Sequence, residues 1–261
     1  MRLHITLSLD RPTTIPIDHL HELQALIYRF LDRSSPEFAR FLHERGYASS
    51  LSTDNRRFKS FVFCGLRVEK SRRRLQNGEL TILPGTVDWF LSSPNEEFLR
   101  HLVTGLLCRG EMVRVAGATF EIVAATTLPF PEFREREEYV CLSPIVAAVP
   151  LLEGGTRYLL PSDGAAFSEA VRANLLQKYA VLRGEPPTET EFRLEFSPKF
   201  LNDPSRQTTK LTDFKGTKIK GAFAPFALTT SPELHRFAHD TGLGEKNSCG
   251  FGMIEVRRSG E

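Results

Sequence analysis

Three Ser-Pro pairs with an acid close behind set the architecture of this 261-residue chain. They stand at Ser35-Pro36-Glu37, Ser93-Pro94-Asn95-Glu96 and Ser231-Pro232-Glu233. A serine hydroxyl caps a helix, proline fits the first helical position, and an acid suits the first turn. Each pair therefore predicts a helix start, the second as a capping box with Ser93 as the cap. Around these starts the apolar period switches between two and 3.6. Leu3, Ile5, Leu7 and Leu9 alternate as a half-buried strand. The segment RPTTIPID reads as a loop, and Leu20, Leu23, Ile27, Phe30 and Leu31 then mark an amphipathic helix. A second helix carries Phe38, Phe41 and Leu42. Strand patterns follow over 60–70 and over 79–92, the latter around Leu83-Pro84-Gly85. The Ser93 helix presents Phe98, Leu99, Leu102, Leu106 and Leu107 and stops at Gly110, before an extended stretch over 113–127.

That order is β-α-β-β-α-β, the ferredoxin-like arrangement. The proline- and charge-rich segment LPFPEFREREE (128–138) predicts a linker. Beyond it the order recurs. YVCLSPIVAAVPL is strand-like, and a helix over 167–182 carries Val171, Leu175 and Tyr179. EFRLEF and KGTKIKGAFAPFAL are extended. A helix opened by Ser231 carries Leu234, Phe237 and Ala238, and a last strand covers 250–256. The expected fold is α+β: two tandem ferredoxin-like (RRM-like) βαββαβ domains, over 1–130 and 139–261.

Composition narrows the function classes. With 34 basic and 32 acidic residues the net charge is +2, so any polyanion site must come from local clusters. Cys64, Cys108, Cys141 and Cys249 contain no C-x-x-C pair, which argues against a zinc site and fits reduced thiols. No apolar run reaches membrane-spanning length, and the N-terminal MRLHITLSLD lacks a leader's apolar core. The expectation is a cytoplasmic protein without membrane partner, metal or cofactor.

The densest glycine cluster is GLGEKNSCGFG, with Gly242, Gly244, Gly250 and Gly252 around Glu245, Lys246, Asn247 and Ser248. It fits neither the dinucleotide fingerprint nor the Walker loop, because the spacings fail and a strand follows where a helix is needed. Two readings remain open: a phosphate-binding concavity of backbone N–H groups, or a turn that simply requires glycine. Gly242 stands where a left-handed helix cap belongs.

GLGEKNSCGFGMIEV resembles the C-terminal glycine-rich signature of the CRISPR repeat-processing endoribonucleases of the RAMP superfamily. HELQALIYRFLDRSSPEFARFLHERGY resembles that family's opening helices, and CLSPI the start of its second domain. The resemblance implies cleavage of precursor CRISPR RNA within each repeat, without metal. The 2′-hydroxyl attacks and leaves a 2′,3′-cyclic phosphate and a 5′-hydroxyl.

Such chemistry needs proton transfer and charge stabilisation but no protein nucleophile. His43 borders its helix's apolar stripe, and Tyr28, fifteen residues earlier, borders the preceding one. The resemblance carries a catalytic pair over to these positions: His43 as general acid or base, Tyr28 orienting the 2′-hydroxyl or scissile phosphate. Read without it, His43 is more readily a helix-flank histidine bonded to a neighbour, and Tyr28 a core-edge aromatic. Family members often carry a lysine soon after the histidine, where this chain has Ser49 and Ser50. Arg45, Arg56, Arg57 and Lys59 are the nearest cations. His21 is the reserve histidine, and His19 closes the preceding loop.

Candidate RNA contacts are Gly242, Gly244, Lys246, Asn247, Ser248 and Gly250, with Arg56, Arg57, Lys59, Lys218 and Lys220. The run Arg72-Arg73-Arg74 reads as a hairpin loop able to grip a stem. Solvated surface is the alternative for each basic run, and phosphate contacts alone select no sequence. Expected partners are CRISPR repeat RNA, other effector-complex subunits, or a second copy of the chain. The alternative function is a repeat-RNA-binding scaffold subunit without efficient catalysis. A nucleotide-dependent enzyme is the remotest reading.

Overall fold

The computed structural model describes residues 1–48, 57–107, 112–151 and 154–257. The first half runs through β1 (Arg2–Leu9), β2 (Thr13–Pro16), α1 (Leu20–Ser34), α2 (Pro36–Glu44) and β3 (Val62–Phe63). It continues with β4 (Arg73–Gln76), β5 (Glu79–Ile82), β6 (Gly85–Ser92), α3 (Glu96–Leu107), β7 (Met112–Val115) and β8 (Ala118–Leu128). Among the described residues β3, β6, β1, β8 and β7 lie side by side in that order. Leu3, Ile5, Leu7 and Leu9 on the central strand β1 are all buried beneath α1 and α3, as the alternation requires. All the expected apolar positions of α1 are buried as well.

The second half runs through β9 (Arg136–Cys141), β10 (Ala147–Pro150), β11 (Thr156–Leu159), α4 (Ala165–Arg183) and β12 (Phe192–Phe196). A short α5 (Pro198–Leu201) precedes β13 (Thr209–Phe214), β14 (Thr217–Ala222), β15 (Phe226–Thr230), α6 (Pro232–Thr241) and β16 (Ile254–Val256). Its main sheet has the order β12-β15-β9-β16. Numbering the ferredoxin strands within each half, both sheets read second-third-first-fourth. The duplication inferred from element order therefore holds at the level of topology.

Several local expectations change. RPTTIPID supplies the edge strand β2, paired with β5, because Pro16 sits at the strand's last position where a lost donor is tolerated. Asn95, not Ser93, caps α3: its Oδ1 accepts from the Phe98 N–H at 3.2 Å, while the Ser93 hydroxyl donates to the Ser60 carbonyl at 2.6 Å. Ser35 and Ser231 do cap α2 and α6. Leu107 is 73% exposed rather than packed. Within 60–70 only Val62–Phe63 pair as a strand, and 250–256 contributes only Ile254–Val256. The linker is shorter than 128–138, since β9 already begins at Arg136. Gly110 lies outside the described residues.

The two halves share buried material. Val146, Ile219 and Phe251 from the second half belong to the first half's core, and Val62, Cys64 and Met253 join across the interface. Full burial of a side chain such as Phe251 contributes about 1.5–3 kcal/mol. The buried Arg2 guanidinium crosses the same interface to the Glu255 carboxylate and to the carbonyls of His239 and Ile254. Packing of this kind fixes the angle between the halves and so the position of the glycine-rich segment.

Candidate RNA-cleavage site

α1 and α2 pack side by side, and their flanks bring Tyr28 and His43 together. The two rings meet edge to face, with centroids 5.2 Å apart. His43 is exposed and Tyr28 half-buried. The Tyr28 hydroxyl oxygen is buried without a hydrogen-bond partner among the described residues. Burial pushes its pKa upward, so at neutral pH the phenol is an uncommitted hydrogen-bond donor.

Lys59 completes the cluster. Its ammonium donates to the His43 carbonyl at 2.9 Å and lies 5.4 Å from the centre of the Tyr28 ring. Desolvation lowers its pKa, opposed by the neighbouring Cys249. Of the cations near His43, the structure brings Lys59 to the His43 backbone and the Tyr28 ring. The sequence left that choice open because Lys59 follows His43 by sixteen residues. Among the described residues Arg57 bonds the Glu44 carbonyl, at 3.4 Å, and Arg56 lies outside the described residues.

The glycine-rich segment closes the site from the other half. Its turn at Asn247–Cys249 packs against β3 and α1, and Gln24 of α1 donates to the Ser248 carbonyl at 2.7 Å. A Cβ on Gly244 would sit 2.2 Å from the Val146 carbonyl oxygen, and one on Gly252 would sit 2.0 Å from that of Leu243; both glycines have positive φ. Close approach and backbone conformation therefore explain these two glycines. The N–H groups of Gly242, Leu243, Glu245, Cys249, Gly250 and Gly252 are already held by protein carbonyls. Gly242 has φ 77° and ψ 161°, so it is not the left-handed cap that its position implied.

One residue the sequence did not signal holds this segment. Lys178 on α4 is 3% exposed, and its ammonium donates to the carbonyls of Gly242 (2.6 Å) and Gly244 (3.3 Å) and to Asn247 Oδ1 (2.9 Å). Asn247 in turn donates to the Leu243 and Phe251 carbonyls. Its amide is committed to the loop. Lys246 is exposed, and Ser248 is half-buried.

A cleft of about 450 Å³ lies along Tyr28 and His43 and is bordered by His21, Gln24, Arg40 and Lys215. Lys215 is at the tip of the β13–β14 hairpin, whose tip end docks at the start of α1: the Asp213 N–H donates to Asp18, just before the helix, at 3.1 Å, and Phe214 meets the His21 ring edge to face. Both halves thus contribute to one concavity, with Lys59 and the glycine-rich segment along its side.

Comparison with known proteins completes the description. The model for "CRISPR-associated protein Cas6, N-terminal" matches residues 14–126, and that for "CRISPR associated protein Cas6, C-terminal" matches 128–256. The chain belongs to the Cas6 family. A CRISPR-associated endoribonuclease Cas6 of Methanocaldococcus jannaschii is 29% identical, covering 97% of this chain and 92% of the relative. That of Pyrococcus furiosus is also 29% identical, covering 95% and 85%. A solved structure described as CRISPR associated protein Cas6 aligns with a TM-score of 0.78 at 28% identity over 99% of both chains.

The remaining candidates of this Cas6-family chain lie outside the Tyr28–His43 cluster. Lys218 is exposed but paired with Asp213 at 2.9 Å, and Lys220 follows it on the same strand, half-buried. Arg72 is not free to grip RNA: its guanidinium donates to the carbonyls of Leu83, Pro84 and Thr86. Arg73 and Arg74 are exposed, on strand β4 rather than in a loop. His19 is buried between the Pro16 carbonyl and the Leu66 N–H, which lowers its pKa by desolvation and gives it a structural role. His21 lines the cleft beside Glu22. Among the described residues no three potential ligand side chains form a metal-binding group, and no helix is long and apolar enough to cross a membrane.

Proposed function

We propose that this protein cuts precursor CRISPR RNA within its repeats by attack of the 2′-hydroxyl on the adjacent phosphate. The new 2′-O–P bond forms as the P–O5′ bond breaks. The 2′ proton passes to a base, and the departing 5′ oxygen takes a proton from an acid. A cyclic phosphate and a 5′-hydroxyl result; RNA supplies the nucleophile, and protein side chains rather than a metal carry the proton transfers. His43 carries one of the proton transfers, a contribution of about 10²–10⁴-fold. The Tyr28 hydroxyl orients the 2′-hydroxyl or the phosphate. Lys59 stabilises the extra charge on phosphorus and takes the place of the family lysine.

The observation that carries this reading is the Lys59 ammonium reaching both the His43 backbone and the Tyr28 ring beside an open cleft. Repeat RNA is the partner. Lys246, Arg57, Lys218 and Lys220 hold its backbone, with Arg56 in the adjoining segment, while Gly242, Gly244, Gly250 and Asn247 shape the wall and Ser248 lines it. The two domains, 1–130 and 139–261, clasp the strand between them, in a cytoplasmic protein.

Incubation with repeat RNA in EDTA tests the proposal. Cleavage that yields a cyclic phosphate, and that His43→Ala abolishes while binding persists, supports it. Tight retention of uncut RNA by the wild type would instead favour a scaffold subunit that docks with effector subunits or a second copy.

A further inference from the structure

A second cavity, of about 360 Å³, is lined in part by Lys59. Its walls include Arg57, Phe58, Lys59, Asn174, Lys178 and Lys246. Four of these are cationic, and Glu245 is the carboxylate among the lining residues. Asn174 is the unusual member. It is 5% exposed, and its Oδ1 has no hydrogen-bond partner among the described residues. It sits one helical turn before Lys178 on α4, so both face the same space. A buried amide oxygen left unpaired is costly, and such a group calls for a donor that occupies the cavity.

Size and chemistry narrow the occupant. The volume falls in the roughly 300–1,000 Å³ range of small-ligand clefts, which suits one nucleotide and excludes a duplex. Sequence-specific RNA readers take single unstacked bases, set them against an aromatic ring and bond their edges. Phe58 offers the ring, Asn174 the edge contact, and Arg57, Lys59 and Lys246 the phosphate contacts. Lys59 lines this cavity and also touches the His43 carbonyl and the Tyr28 ring, which border the first. A strand whose scissile phosphate lies at Lys59 therefore delivers its neighbouring nucleotide to this second cavity.

We propose that the cavity between α4, the glycine-rich segment and residues 57–61 receives one unpaired nucleobase of the RNA next to the cleavage point, recognised through Asn174. The proposal rests on the RNA-cleavage reading above. It adds a specificity pocket distinct from the proton-transfer cluster.

Binding of labelled repeat RNAs carrying a single abasic site, measured in EDTA, tests it. The wild type should lose roughly tenfold in affinity for an abasic site at one unpaired position beside the cut, the scale of a single seated base. Asn174→Leu should bind the unmodified RNA correspondingly weaker and be indifferent to that abasic site. Free mononucleotide should not restore the lost binding, since the base must arrive on the strand. A wild type with no abasic-sensitive unpaired position overturns the proposal without recourse to any variant. Equal abasic losses in wild type and Asn174→Leu overturn it too, leaving Asn174 bonded to solvent alone. Normal cleavage without this coupling sinks the pocket but not the nuclease. Coupling without cleavage does the reverse, and a wild type that binds no repeat RNA sinks both.

Discussion

The Lys59 ammonium lies 5.4 Å from the centre of the Tyr28 ring. A cation over an aromatic face is worth about 0.5–2 kcal/mol and holds the ammonium close to the ring whose hydroxyl is free. Lys59→Ala should therefore lower single-turnover cleavage by roughly 10²-fold, as loss of one charge-stabilising donor does elsewhere. RNA affinity should fall far less. Rates at saturating RNA in EDTA, set beside filter-binding affinities, measure both, and an unchanged rate would remove Lys59 from the chemistry.

Tyr28→Phe deletes a hydroxyl that has no partner among the described residues and keeps the ring. Stability should stay within about 0.5 kcal/mol, because no internal hydrogen bond is broken. Cleavage should drop roughly tenfold, matching one lost contact to RNA. Thermal melting and cleavage rates separate the two effects. A large fall in melting temperature would show that the hydroxyl is structural.

Lys178 gives a pH-dependent prediction. Burial lowers its pKa to about 7, with Glu245 opposing the shift. A lysine with a depressed folded value holds its proton more readily when unfolded. Between about pH 7 and the ordinary lysine range the unfolded chain thus binds the extra proton, and this group makes stability rise with pH across that window. Urea midpoints from pH 6.5 to 9.5 should show that slope in the wild type and lose it in Lys178→Met. The variant also leaves the Gly242 and Gly244 carbonyls and Asn247 Oδ1 without their donor, at a cost of about 2–3 kcal/mol at neutral pH.

Gly244→Ala should destabilise the protein by more than 2 kcal/mol, by roughly the sum of positive-φ strain and displacement of the Val146 carbonyl. Gly78, at φ 78° with nothing near its Cβ position, is the control. Its alanine variant should cost only about 1 kcal/mol, the strain alone. Chemical denaturation of both decides whether close approach, rather than backbone conformation, dominates at the glycine-rich segment.

Arg72→Ala should lower stability by about 1–3 kcal/mol and leave the salt dependence of RNA binding unchanged, since its guanidinium is spent on three carbonyls. If Arg73 and Arg74 touch phosphates, their joint replacement should flatten the slope of log affinity against log salt by about 2.

Much of this molecule follows from short-range rules. Alternation placed Leu3 to Leu9 on a buried face, and serine caps set the starts of α2 and α6, because those signals act within one turn or one strand. The cap on α3 went to Asn95 because the Ser93 hydroxyl found the Ser60 carbonyl, a partner 33 residues away. That His43 and Tyr28 would border one surface was legible from their helix flanks, and their rings do meet. Lys59 was one of four nearby cations, and local pattern does not say which of them folds back onto a helix end.

By itself, then, the sequence determined the element order, the duplicated topology, the amphipathic faces and the presence of a glycine-dependent turn, since each depends on neighbours a few residues apart. Tertiary structure alone decided that Lys178 would hold that turn, that Lys59 would meet Tyr28 and that Asn174 would face a cavity without a partner. These contacts join residues from different elements, and Lys178 reaches Gly242 across 64 positions of chain. The first two form as the elements within each half pack together, and the cavity that Asn174 faces takes shape when the two halves bury Val146, Ile219 and Phe251 in a common core.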